Sequence, residues 1–121
     1  MKENTIESKS KAFAVRVIRL YQLLTAEKKE FVLSKQLLRA GTSIGANVRE
    51  ATQGFSRNDF VYKMNIALKE CNETCYWLEL LKETDYLSPA QYDSIYADAK
   101  ELLKMLTAIV KTTKAADPNQ K

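Results

Sequence analysis

Histidine is absent from all 121 residues, which removes the commonest general base and the commonest metal ligand together. Glycine occurs three times and proline twice, too few for a chain built on tight turns, so the elements must be long and their connections few. With two cysteines and no histidine, a tetrahedral metal site has no obvious completion. No apolar run approaches the roughly 18 residues that a bilayer crossing needs. The opening "MKENTIESKSK" also lacks the apolar stretch of a secretory signal. These absences predict a cytoplasmic protein without a membrane span, a metal or a cofactor.

What is present suits one domain over residues 1–121. Hydrophobic residues make up 45% and charged residues 28%, enough to bury a core without staples. The net charge of +4 is unevenly spread. Residues 1–58 carry eleven Lys/Arg against five Asp/Glu, and residues 59–121 carry eight against ten. All the arginines (Arg16, Arg19, Arg39, Arg49 and Arg57) lie in the first half. Arginine's planar fork suits phosphate, so a one-sided set points toward nucleic acid. A solvated face with scattered salt bridges gives the same composition.

Apolar spacing predicts four helices at about 7–24, 27–53, 57–84 and 89–113, with 114–121 a frayed tail. The first carries Phe13, Val17, Leu20 and Leu24 at steps of four, three and four, flanked by Ala14, Ile18 and Tyr21. Thr25 is placed as a break and as cap for the next helix. The second stripe is Leu33, Leu37, Ala40, Ile44, Asn47 and Ala51. It runs without change of phase through "AGTSIGAN", so the segment reads as a helix despite Gly41 and Gly45. Each glycine costs about 1 kcal/mol there relative to alanine, and packing against a close neighbour must offset it. A phosphate-gripping loop fails on pattern, because no Gly-Lys-Ser/Thr follows and no strand precedes.

Ser56 with Asp59 marks the third helix start, after Gly54 closes the second. Its face is Phe60, Met64, Ala67, Cys71, Thr74, Leu78 and Leu81. The sharpest boundary is "LSPAQY": Ser88 as cap, Pro89 in the first helical position, Gln91 completing a capping box, and Leu87 with Tyr92 as a staple. The fourth helix presents Tyr92, Ile95, Tyr96, Ala99, Leu102, Leu103, Leu106, Ile109 and Val110. Four such helices with short connections bury their stripes in an all-α, antiparallel up-and-down four-helix bundle.

Helix three has apolar surface to spare. Tyr62, Ile66, Trp77 and Leu80 fall roughly opposite Phe60 and Cys71 and are assigned to a subunit contact, with Trp77 folding over the bundle edge as the bland alternative. Cys71 and Cys75, four apart on a helix, are too widely set for a relaxed disulfide and read as buried thiols. Ser43, Asn47 and Glu50 share a face of helix two with Arg39. No histidine or sequence-near lysine activates the serine, so no catalytic residue is assigned. A polar network at a helix or subunit interface is the reading of Arg39, Ser43, Asn47 and Glu50.

Two stretches, "LLRAGTSIGANVRE" and "DFVYKMNIALKECNETCYWLELL", resemble the 23S rRNA intervening-sequence proteins, four-helix bundles also labelled ribosomal proteins by association. Arg39, Ala40, Ser43, Ile44, Ala46, Asn47 and Glu50 fit the family's R-A-x-S-I-x-A-N-x-x-E pattern. The likeness spans about residues 9–110. It departs after Glu50, where many members have a glycine- and arginine-rich turn and this chain reads "EATQGFSR". The resemblance implies a bacterial subunit that assembles into a homopentamer.

Two functions follow as expectations. In one, the assembly binds rRNA or another nucleic acid through Arg16, Arg19, Arg39, Arg49 and Arg57, assisted by Lys9, Lys11 and Lys35, mostly at phosphates. In the other, the protein is an interaction scaffold for a partner protein, working through Trp77 and Leu80. An enzyme is not expected.

Overall fold

Thr5 opens the chain's first helix by accepting the Ser8 N–H on its side-chain oxygen at 3.1 Å. The structure, a computed structural model, describes residues 5–116, and side chains as far as residue 113. Four helices follow one another: α1 (Ile6–Ala26), α2 (Leu33–Thr52), α3 (Arg57–Glu83) and α4 (Pro89–Ala116). There is no strand among the described residues.

Consecutive helices pack side by side and α4 returns against α1, and among the described residues the backbones of diagonal helices stay apart. In the α1–α4 seam Lys9 meets Glu101 and Arg16 meets Asp98. In the α2–α3 seam Arg39 meets Glu70 and Lys63 meets Glu50. In the α3–α4 seam Cys71 meets Ala99 and Glu79 meets Tyr96. Numbers fall on one helix as they rise on its neighbour, the register of antiparallel packing.

The core follows the predicted stripes in part: Leu20, Phe60, Tyr92, Tyr96, Leu103 and Ile109 are only half-buried against it, and two positions on α2 shift to a neighbour. Phe13, Val17, Leu24, Leu37, Ile44, Met64, Ala67, Cys71, Leu78, Leu81, Ile95, Ala99, Leu102, Leu106 and Val110 are buried. Asn47 is not the core residue of its turn: it is half-buried, and Val48 takes the inward place at 0% exposure. A helix advances 100° per residue, so a strict alternation of four and three drifts off the buried line after several turns. Asn47 instead donates its side-chain amide to the Ser43 carbonyl at 2.8 Å. Leu33 is likewise half-buried, and Ser34 beside it is the buried residue.

α2 starts at Leu33, six residues later than expected, and Thr25 breaks nothing. Thr25 is inside α1 and donates its hydroxyl back to the Tyr21 carbonyl at 2.9 Å. The interruption belongs to a carboxylate instead. Glu30, 7% exposed, accepts the N–H groups of Val32, Leu33 and Ser34 at 3.2, 2.9 and 2.7 Å. These are donors left open at a helix N-terminus, and the negative charge also complements the helix dipole. Burial opposes ionisation of Glu30, yet the three backbone hydrogen bonds outweigh it and hold the carboxyl below its ordinary value of 4.5.

α2 remains one unbroken helix through Gly41 and Gly45. A Cβ on Gly41 would lie 2.8 Å from both Val17 methyls, and one on Gly45 would lie 3.3 Å from the Ser10 carbonyl oxygen. The missing side chains therefore let α1 and α2 approach closely. At the other junctions the N-caps are as expected, whereas Gln53 rather than Gly54 caps the end of α2 and no glycine adopts a positive φ. Ser56 accepts the Asp59 N–H at 3.0 Å, and Ser88 and Gln91 exchange reciprocal bonds at 3.1 and 2.9 Å. Removing the cap with Ser88→Ala should cost about 1 kcal/mol, read as a lower urea midpoint at unchanged slope. α4 runs on to Ala116, so residues 114–116 are helical rather than frayed, while 117–121 of the expected tail lie outside the described residues.

Candidate nucleic-acid interface

Because α1 and α2 are adjacent, the cation-rich first half of the chain occupies one side of the bundle. The eight expected cations are spread around that side rather than gathered, and they divide into two sets.

Four are paired with carboxylates. Lys9 Nζ lies 3.1 Å from Glu101 Oε2. Arg16 reaches Asp98 at 2.7 Å and also donates to the Ser94 hydroxyl at 2.9 Å. Arg39 bridges Glu70 at 3.2 Å and Glu73 at 2.5 Å, so it is a strut between α2 and α3. Arg49 stands 3.9 Å from Glu7. All of these pairs touch solvent, so each contributes no more than about 1 kcal/mol and its cation can be shared with an arriving phosphate.

The other four, Lys11, Arg19, Lys35 and Arg57, are exposed and form no ion pair with any described residue. Arg19 only donates to Gln22 at 3.4 Å. Lys11 and Arg49 do come together, in a groove of about 390 Å³ between α1 and α2 that also holds Glu7, Glu50 and Thr42 over a floor of Ala14, Gly45 and Ala46. The small floor follows from the same close approach that Gly45 permits.

The polar set on α2 does not form a side-chain network. Ser43 donates to the Arg39 carbonyl at 2.7 Å and Asn47 to the Ser43 carbonyl, both along the helix. Arg39 turns to α3, and Glu50 binds Lys63 at 2.7 Å, which raises the Lys63 pKa chiefly through that hydrogen bond. The pattern at i, i+4 and i+7 thus satisfies its own backbone and ties α2 to α3 by its two charged ends.

On α3, Tyr62 is 62% exposed, whereas Ile66, Trp77 and Leu80 are half-buried. Trp77 packs against the core, stands edge-on to Tyr76 with centroids 5.2 Å apart, and donates Nε1 to Glu73 at 3.3 Å. Cys71 and Cys75 are free and buried. Cys71 donates to the Ala99 carbonyl at 3.4 Å, and the neighbouring Cys75 sulfur, with burial, pushes its pKa well up. Tyr96 donates to Glu79 at 2.7 Å, a bond that raises the phenol's pKa. Among the described residues no three His, Cys, Asp or Glu side chains gather around a point, and no helix is long and apolar enough to cross a membrane.

A reading led by arginines omits Lys28, Lys29 and Phe31 in the α1–α2 connection, all exposed and none ion-paired among the described residues. The available signal was "EKKEFV", a lysine pair beside an aromatic.

The four-helix bundle has counterparts among known proteins. A family model described as 23S rRNA-intervening sequence protein matches residues 2–108. Among solved structures, a protein with unknown function from the S23 ribosomal protein family of Bacteroides thetaiotaomicron VPI-5482 is 58% identical. That match covers 92% of this chain and 99% of the other, with a TM-score of 0.88. No curated protein matches. The chain belongs to the 23S rRNA-intervening sequence protein family.

Proposed function

We propose that this protein is a non-enzymatic subunit of a bacterial, cytoplasmic homo-oligomer, five copies by the family resemblance, that binds RNA or another nucleic acid through its cation-rich side. The observation that supports this reading is the set Lys11, Arg19, Lys35 and Arg57, exposed on α1, on α2 and at the first residue of α3, and without a carboxylate partner among the described residues. Unpaired surface cations are what a polyanion exchanges its counterions for, and copies in a ring multiply them. Contacts to phosphate from such a scattered set give weak sequence preference.

Four phosphate contacts per binding event predict roughly a hundredfold loss of RNA affinity between 50 and 200 mM salt. Fluorescence anisotropy with a structured RNA measures it, on protein whose mass in solution is known. Binding that ignores salt, or none at low salt, overturns the proposal.

One observation favours a protein partner instead. Tyr62 and Tyr76, two heptads apart on α3, are 62% and 52% exposed, and exposed tyrosines are enriched in protein interfaces. In that scaffold reading Trp77 and Leu80 support the surface from beneath. Absent RNA binding at every salt would leave this alternative standing.

A further inference from the structure

The α1–α2 connection reverses the usual arrangement of loop side chains. One of its carboxylates, Glu30, points in, and its apolar residues point out. Glu30 is 7% exposed, while the next two residues, Phe31 and Val32, are 58% and 71% exposed. The inversion is built in rather than left loose. Glu30 donates its own N–H to the Leu24 carbonyl at 3.0 Å, Ser34 donates its hydroxyl to the Glu30 carbonyl at 2.7 Å, and the Glu30 carboxylate holds three N–H groups of the first turn of α2. Lys29 is held at φ 57°, a left-handed conformation that costs a non-glycine residue about 1 kcal/mol or more. Departures from local rules that the surrounding structure overrides tend to sit where a surface is used.

Around this fixed pair the charge is of one useful sign. Lys28, Lys29 and Lys35 are exposed and none is ion-paired with a described residue. Of the two carboxylates in the same stretch, Glu30 is turned inward and Glu27 alone faces solvent. An exposed phenyl ring within four residues of three unpaired lysines has the chemistry of a single-stranded nucleic-acid site: bases stack on the aromatic face while cations follow the backbone. A rigid loop binds without the cost of ordering itself.

We infer that the α1–α2 loop is a contact for single-stranded nucleic acid, in which Phe31 stacks on a base and Lys28, Lys29 and Lys35 take the neighbouring phosphates. The inference rests on the proposed nucleic-acid function and sharpens it, because duplex RNA offers no free base face to Phe31.

The test uses the full chain and two fluorescent probes, an unstructured oligouridine strand and an RNA duplex. Phe31→Ala should bind the single strand about tenfold more weakly, with little change for the duplex, and Phe31→Tyr should keep most of the affinity. Joint Lys28→Gln, Lys29→Gln and Lys35→Gln should lower the salt slope on the single strand by about 2. Phe31 is largely exposed, so an unchanged thermal melt is expected for its variants. If the parent binds RNA and the Phe31→Ala and lysine variants bind as well as the parent, the loop assignment falls and the broader function stands. If the parent binds neither probe at low salt, both fall. A drop in assembled mass for Phe31→Ala would make the loop a subunit contact and overturn the assignment as well.

Discussion

Gly41→Leu is expected to destabilise the bundle by about 2–3 kcal/mol, an overpacking cost only partly offset by leucine's better helix propensity. The physical reason is local. The first carbon of any side chain at position 41 would already lie 2.8 Å from both methyls of Val17. Val17 is fully buried and β-branched, so it has neither space nor a second comfortable rotamer to yield into. A loss of that size should lower the melting midpoint by roughly 10 °C in a domain of this length. Gly45→Ala is the matched contrast. Its new methyl would meet the Ser10 carbonyl oxygen at 3.3 Å, a shift of a few tenths of an ångström, against which stands about 1 kcal/mol of helix propensity. Pairing Gly41→Ala with Val17→Ala closes the cycle: the double variant should be less destabilised than the sum of the two by about 1 kcal/mol or more. Strict additivity would mean that Gly41 and Val17 do not press on one another, and the account of the α1–α2 approach would fail.

Gly41 also shows why the fold was legible. The stripe from Leu37 to Ala51 keeps one phase across both glycines, and phase is carried by residues a few positions apart in sequence. Caps are equally local. Ser88 and Gln91 are three apart, and their reciprocal bonds need no tertiary information to be expected. The start of α2 escaped for the opposite reason. Its cap is a glutamate that must first be buried to act, and burial of Glu30 depends on how α1 ends against the core near Leu24. With no glycine or proline to mark the turn, "TAEKKEFV" reads as continuing helix.

The candidate interface was legible in part. One-sided placement of the arginines was visible in the sequence, and the adjacency of α1 and α2 gives it a spatial meaning. Which cations are free was not visible. Arg16 finds Asp98, and Arg39 finds Glu70 and Glu73, across seams whose registers only packing sets. The partners lie tens of residues away, so no spacing rule could separate Arg39, a strut, from Arg57, which pairs with no described carboxylate. The same holds for Trp77, whose apolar face was plain in the helical projection but whose bond to Glu73 and core packing depend on the neighbouring helices.

Removing the carboxylate of Glu30 should be as damaging as crowding Gly41, through electrostatics and hydrogen bonding rather than volume. Glu30→Ala strips partners from the N–H groups of Val32, Leu33 and Ser34 and is expected to cost about 3 kcal/mol, since hydrogen bonds to an ionised group are each worth more than neutral ones. Relief of the left-handed conformation at Lys29 offsets part of that loss, by about 1 kcal/mol or somewhat more. The pH dependence has a definite direction. Folding holds the Glu30 carboxyl below its ordinary value of 4.5, so the native state takes up this proton less readily than the unfolded chain. Its contribution is therefore complete above that value and is lost as pH falls from there through the lower, folded value. Glu30→Gln keeps the side chain's shape and one acceptor but has no charge to titrate. Its urea midpoint should lie below the parent's at pH 7, and the gap should narrow as both are acidified below 4.5. With Glu30 replaced by alanine only the residue-30 backbone bonds to Leu24 and Ser34 still hold Phe31 and Val32 outward, and faster hydrogen exchange at Val32, Leu33 and Ser34 should report the loosening. A Glu30→Ala chain as stable as the parent at pH 7, with those three amides still protected, would show that α2 is started by something other than this carboxylate.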